Sequence, residues 1–272
     1  MSAGVKLLVA ALLGVVQGLT EFLPVSSSAH LILARAFFGW DAAVFGLAFD
    51  VALHAGTLAA ILVFFREDVL AMIAAAPSAL TAKAGAGRLA RLIAIGTLPV
   101  VVVGVLFADW LEANLRTPAV IAVTLTIGGV ALLAAERVGA RRRDETALTA
   151  ADSLALGGAQ TTALVPGMSR SGSTIAMGMF LGMTRESGAR FSFLLGIPAI
   201  AAAAGKEGVH VLRAGLSGEE LALFAVGMVT SAAVGYMTIK YFLRFLAGHR
   251  LDVFAYYRLA LAAVTVVWLL AL

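Results

Sequence analysis

Two polar segments interrupt an otherwise apolar chain. The first reads Gln17-Gly-Leu-Thr-Glu21-Phe-Leu-Pro24-Val-Ser26-Ser27-Ser28-Ala-His30, the second Gln160-Thr-Thr-Ala-Leu-Val-Pro166-Gly167-Met-Ser169-Arg170-Ser171-Gly172-Ser173-Thr174. Gln17 and Glu21 are four residues apart, so on a helix they share a face. A carboxylate beside an amide carbonyl is a partial shell for a divalent cation such as Mg²⁺ or Ca²⁺, with Glu21 and Gln17 as the ligands. The plainer alternative has Gln17 satisfying a backbone break and Glu21 pairing with Arg170. Ser27 and His30, three apart, form the minimal nucleophile–base pair. His30 equally suits the role of general acid toward a leaving oxygen. Against this stands a serine cluster that caps the following helix above a packed core histidine, the ordinary role for Ser26 and Ser28.

The second segment carries the more specific signal. Glycines permit a tight turn, and Ser169, Ser171 and Thr174 offer hydroxyls and helix caps. A helix starting there aims its free N–H groups and positive dipole end at the turn, a ready anion site. Arg170 adds a planar fork that grips phosphate oxygens two at a time. Phosphate is the ligand these groups fit, with Ser26, Ser169, Arg170, Ser171 and Thr174 as its cradle. His54, with Asp50 one turn before it, either lines this site or hydrogen-bonds between helices. Thr124, Thr126 and Ser231 read as helix–helix glue.

What positions these groups is a membrane architecture. Of 272 residues 61% are hydrophobic and 13% charged, which excludes a soluble globular protein. Cysteine is absent, so disulfides and thiolate metal sites do not enter. Lys6 before an apolar run resembles a signal peptide, yet the run continues into the first polar segment with no small-residue cleavage site, so it is kept as mature protein. The net charge of +4 sits in short loops, forming no stripe for nucleic acid.

The apolar runs Val5–Val16 and Leu31–Phe38 are each too short to cross a bilayer, so the first segment is expected in a re-entrant hairpin over about residues 5–38. Spans follow at Ala43–Phe65, Leu89–Phe107 and Ala119–Ala135. After a polar linker at 137–152 the pattern repeats: a second hairpin over about 153–183, then spans at Phe191–Ala204, Leu221–Leu243 and Val253–Leu272. The expectation is an all-α polytopic membrane protein of two inverted-topology repeats, 1–136 and 153–272, each a re-entrant hairpin plus three transmembrane helices. Counting Lys and Arg puts the heavily basic side, with Arg66, Arg137, Arg141–Arg143, Arg185 and Arg250, in the cytoplasm. The lightly basic side, with Lys6, Arg35 and Arg116, then faces outward together with the mouth of the first hairpin.

The stretches Gln17–His30, Pro166–Thr174 and Arg190-Phe-Ser-Phe-Leu-Leu-Gly-Ile-Pro198 resemble the undecaprenyl-diphosphate phosphatase family, also called bacitracin-resistance proteins. The resemblance covers the whole chain, with Gln17 where many members have Glu. It implies metal-dependent hydrolysis of the C55 isoprenoid diphosphate to its monophosphate, the lipid carrier of peptidoglycan precursors, at the outer face of the bacterial plasma membrane. By position it implies Gln17 and Glu21 at the metal, Ser27 or His30 as nucleophile and acid/base, and Arg170 with Ser169, Ser171 and Thr174 around the diphosphate. The expected partners are the polyprenyl diphosphate and the membrane, with a homodimer left open and nucleic acid excluded. A flippase or transporter of a polyprenyl phosphate is the competing reading, since inverted repeats with broken helices serve transport too.

Overall fold

The computed structural model describes residues 1–271, without the side chains at 207, 210–212 and 214. Its regular elements are helices: α1 (Ala3–Thr20), α2 (Ser27–Phe38), α3 (Leu47–Phe64), α4 (Arg66–Ala75), α5 (Gly85–Leu115), α6 (Pro118–Val138), α7 (Ala150–Thr161), α8 (Arg170–Phe180), α9 (Arg185–Ala214), α10 (Gly218–Leu246) and α11 (Asp252–Leu270). Among the described residues the strand-like pairing is a lone bridge between Arg143 and Met183. Seven helices, α1, α3, α5, α6, α9, α10 and α11, are long and apolar enough to cross a membrane. The protein is therefore a multi-pass helical membrane protein. Its outward faces carry exposed Val105, Leu106, Val229, Val267 and Leu270, the side chains that a lipid environment requires.

Helices α2, α7 and α8, of 12, 12 and 11 residues, are too short to span. At ~1.5 Å per residue they fall well below the ~30 Å hydrocarbon core. The two polar segments turn between α1 and α2 and between α7 and α8. The structure departs from expectation in α1, which does not stop at Val16 but runs on to Thr20 and reaches spanning length. Its polar residues do not break it because their side chains bond within the helix: Thr20 Oγ1 donates to the Val16 carbonyl at 2.6 Å, and Gln17 Nε2 reaches Glu21 at 3.1 Å. The stretch after Arg66 left unassigned from sequence holds α4. The last helix ends at Leu270, and Leu272, the expected end of that span, lies outside the described residues.

Small residues bring the helices together. A Cβ at Gly14 of α1 would come within 2.8 Å of the Gly227 carbonyl of α10, and one at Gly18 within 2.8 Å of the Gly235 nitrogen. α7 packs on α5 in the same manner, with Gly157 against Gly96, and Ser153 Oγ donates to the Leu92 carbonyl at 2.5 Å. Close backbone approach of this kind supplies the dispersion contacts that replace the hydrophobic effect between helices in lipid. Phe22, next to Glu21, is fully buried and meets the Phe193 ring edge-on at 5.4 Å, which anchors the first polar turn in the core. The 137–152 linker is tied down as well. The Arg142 and Arg143 amides donate to the Gly182 carbonyl at 2.8 and 2.9 Å. Buried Glu136 gathers Arg185, Arg141 and the Leu251 amide.

Candidate active site

The two polar turns share one backbone device. Ser26 has φ 75 and ψ 100, and Ser169 has φ 68 and ψ 110. Each caps the helix that follows: Ser26 Oγ accepts from the Ala29 amide at 3.4 Å and Ser169 Oγ from the Gly172 amide at 3.1 Å. Positive φ is costly for a side-chain-bearing residue. It is repaid here by turning the chain sharply enough to start a helix with its first N–H groups, which have no intrahelical acceptor, beside the other turn. The turns touch directly: the Gly167 amide donates to Ser28 Oγ at 3.3 Å, and Ser171 Oγ donates to the Leu23 carbonyl at 3.0 Å.

Glu21 is the centre of the arrangement. It is 6% exposed, and both carboxylate oxygens are engaged across the turns. Ser27 Oγ donates to Oε2 at 2.7 Å, Arg170 Nη2 donates to Oε1 at 3.1 Å, and His54 Nε2 lies 3.5 Å from Oε2. Arg170 also donates through Nη1 to the Ser192 carbonyl at 3.1 Å, which fixes the plane of its fork. A cavity of about 270 Å³ opens on this cluster. Glu21, Ser26, Ser27, Ser28, His54, Gln160, Ser169 and Arg170 border it, with Asp50 and Arg116 completing the polar lining. Val100, Leu164, Ala199, Ile200 and Ala203 make its apolar side.

The remaining sequence candidates sit around this core. His30 does not face Ser27: its Nδ1 donates to the Ser26 carbonyl at 2.6 Å, and its Nε2 meets the Tyr257 hydroxyl at 2.8 Å. Thr174 is buried, donating to the Arg170 carbonyl at 2.7 Å and bonding to Ser192 Oγ. Ser171, with its hydroxyl on Leu23, is likewise spent on the scaffold. Gln17 is fully buried, and its Oε1 has no hydrogen-bond partner among the described residues. Gln17 turns its Nε2 rather than this oxygen to Glu21, and Glu21 but not Gln17 borders the cavity; an amide oxygen and a carboxylate are donors of the type a hard divalent cation such as Mg²⁺ or Ca²⁺ takes. Among the described residues no group of three or more His, Cys, Asp or Glu side chains could hold a metal. Water and a substrate's oxygens would have to supply the rest of the shell.

Sequence reasoning missed two features. Arg258 of α11 is fully buried and has no carboxylate partner among the described residues. It donates instead to the carbonyls of Leu125, Pro24, Thr124, Gly167 and Met168, between 3.0 and 3.3 Å, and so clamps both polar turns from beneath. Its signal was present in the sequence: an arginine inside an apolar span calls for a function. The second is the Asp50 cluster. Arg35 grips Asp50 with both terminal guanidinium nitrogens at 2.6 and 2.9 Å, and Arg116 adds a contact at 2.8 Å. His54 Nδ1 in turn donates to the Asp50 carbonyl at 2.7 Å. Thr124 and Ser231 behave as expected, donating to Pro166 at 2.7 Å and Leu53 at 2.9 Å.

A multi-pass helical membrane protein that buries a hydroxyl, a carboxylate and a guanidinium around a cavity of about 270 Å³ is the class this fold and site define. The family described as bacitracin resistance protein BacA matches residues 10–264, and the chain belongs to that family. Curated relatives agree along nearly the full length. The chain is 47% identical over 269 residues to the undecaprenyl-diphosphatase of Rubrobacter xylanophilus, covering 97% of this chain and 99% of that protein. It is 40% identical over 259 residues to the undecaprenyl-diphosphatase of Thermodesulfovibrio yellowstonii, covering 95% of this chain and 96% of the relative. With the undecaprenyl-diphosphatase of Hahella chejuensis it shares 44% identity over 260 residues, covering 94% and 96%.

Proposed function

We propose that the protein is an integral membrane phosphatase that hydrolyses undecaprenyl diphosphate to undecaprenyl phosphate and inorganic phosphate. It thereby recycles the lipid carrier of peptidoglycan synthesis and confers bacitracin resistance. The observation that carries the reading is the 2.7 Å hydrogen bond from Ser27 Oγ to Glu21, in a cavity that also presents Arg170. Binding alone needs an anion site; a hydroxyl held by a buried carboxylate is equipment for nucleophilic attack. The relatives' shared name favours hydrolysis over transport.

In this reading the terminal phosphate lies between Ser27 and Arg170. Ser27 Oγ attacks its phosphorus as Glu21 Oε2 takes the hydroxyl proton. The bond to the bridging oxygen breaks, and the lipid monophosphate leaves. Water then attacks the phosphoserine phosphorus while Glu21 returns its proton to the departing Ser27 Oγ, and inorganic phosphate leaves as H2PO4⁻ with Glu21 ionised again. Arg170 and the N-terminal N–H groups of α2 and α8 stabilise the charge on the phosphoryl oxygens throughout, the effect that dominates phosphoryl transfer. His30 supports the nucleophile by holding the Ser26 carbonyl, while Glu21 acts as base. Gln17 Oε1 and Glu21 would hold a divalent cation, Mg²⁺ or Ca²⁺, which when bound neutralises diphosphate charge.

The topology belongs to the same proposal: inverted repeats 1–136 and 153–272 with a re-entrant hairpin in each, interlocked in the bacterial plasma membrane. Support comes from the matching turns at Ser26 and Ser169 and from the exchanged packing of α1 on α10 and α7 on α5. Lys6, read as outer from sequence, pairs with Glu219 at 2.9 Å, and Arg185, read as cytoplasmic, pairs with Glu136 at 2.6 Å. Arg35 and Arg116, both on the outer side, meet Asp50 at the cavity, which supports an active site facing the periplasm or exterior. The discriminating test compares phosphate release from a C55 polyprenyl diphosphate with lipid-phosphate translocation in sealed vesicles. Release without translocation supports the phosphatase; translocation without release overturns it.

A further inference from the structure

Gln160, near the end of α7, is 1% exposed and borders the cavity with Glu21, Ser27 and Arg170. Neither its Oε1 nor its Nε2 has a hydrogen-bond partner among the described residues. A buried carboxamide unpaired at both ends is destabilising twice over, and such a group calls for a ligand or a role in chemistry. Its place repeats that of Gln17: each glutamine stands nine residues before the positive-φ serine of its turn, Ser26 or Ser169. Their surroundings differ. Gln17 Nε2 is spent on Glu21, four residues on, whereas the position four residues after Gln160 is Leu164. With no carboxylate to hold, the Gln160 amide keeps its N–H donors for another acceptor.

The cavity's composition says which acceptor. Leu164 and Ala163, one turn beyond Gln160, join Val100, Ala199 and Ile200 on the apolar side, while Ser27 and Arg170 hold the polar side. A diphosphate whose terminal phosphate sits at Ser27 and Arg170 places its second phosphate, the one bonded to the prenyl carbon, at that polar–apolar boundary. The geometry points to Gln160 as a substrate-binding residue whose Nε2–H donates to an oxygen of the lipid-linked phosphate, the phosphate that remains on the product. This rests on the phosphatase reading and adds the contact by which the enzyme would hold the lipid-side phosphate.

The test uses the full chain in detergent micelles, with Gln160→Ala and Gln160→Met beside wild type. Three probes are measured: C55 polyprenyl diphosphate as substrate, C55 polyprenyl monophosphate as product inhibitor, and inorganic phosphate. Loss of one hydrogen bond to a charged oxygen predicts about a tenfold rise in KM and in the monophosphate inhibition constant. Inhibition by inorganic phosphate stays at the wild-type level. Gln160→Met, which removes the unpaired groups and keeps the volume, melts at or above the wild-type temperature. A purely structural glutamine would instead lower Tm and leave KM alone. Unchanged monophosphate affinity in both variants overturns the assignment. The Tm shift induced by the monophosphate needs no turnover, so it reads Gln160 independently of whether wild type releases phosphate.

Discussion

Ser26 and Ser169 adopt nearly the same positive-φ backbone, φ 75 and φ 68, and each caps a short helix whose N-terminus borders the cavity. Opposing energies meet at each position: the cap stabilises and the backbone strains. Ser169→Ala loses the cap and keeps the strain, so it should lower stability by about 1 kcal/mol. Ser169→Gly also loses the cap but relieves the strain, and should be the milder change. Denaturant unfolding in detergent measures both. Alanine ranking above glycine would refute the strained-turn account, at Ser169 and equally at Ser26.

Arg170 is positioned by a residue that has no side chain. A methyl group at Gly196 would overlap the Arg170 guanidinium, so Gly196→Ala must push the fork off Glu21. We expect kcat to fall about 100-fold, the scale of a 1 Å misplacement. Gly205→Ala, on the same helix with open space around it, should leave kcat unchanged. Arg170→Lys keeps the charge and loses the fork, and should also lose most activity. Near-normal turnover in Arg170→Lys would remove the two-pronged role.

Arg258 is expected to be structural and indispensable. Arg258→Met would leave the Pro24, Gly167 and Met168 carbonyls short of their buried donor. At ~1–3 kcal/mol for each unsatisfied group, the loss should come to about 3 kcal/mol or more and appear as a fall in Tm. Gly128→Ala, whose methyl would run into the same guanidinium, should reproduce the effect in part. Wild-type melting of Arg258→Met would contradict the clamp.

The cation reading predicts that a chelator abolishes phosphate release and that added Mg²⁺ or Ca²⁺ restores it. Gln17→Ala removes the orphaned oxygen and should raise the cation concentration needed for half activity by about tenfold. Gln17→Glu adds a charge and should lower it. Full turnover in excess chelator would dismiss the metal from the site.

Much of this was legible in the chain because polar residues in apolar segments have few explanations. The capped turn that carries Arg170 and its pairing with Glu21 follow from residue types and spacing. The length of α1 was not legible: hydropathy falls at Gln17, yet the helix continues because Gln17 and Thr20 satisfy their polar groups internally. The reach of His30 was hidden for a different reason. Spacing placed it a turn from Ser27, but its ring bonds are to the Ser26 carbonyl and to Tyr257, a partner 227 residues away. The same distance problem concealed the Arg258 clamp and the meeting of Arg35 with Asp50 and Arg116.

Ser27, held by Glu21, is the group proposed to attack the lipid diphosphate. The most direct measurement is phosphate release from C55 polyprenyl diphosphate by purified wild type and Ser27→Ala, with Tm recorded for both. Wild type should release phosphate in a cation-dependent manner, and Ser27→Ala should lose at least about 100-fold with little change in Tm. Wild-type release by Ser27→Ala, or none by the intact protein with lipid and cation supplied, would contradict it.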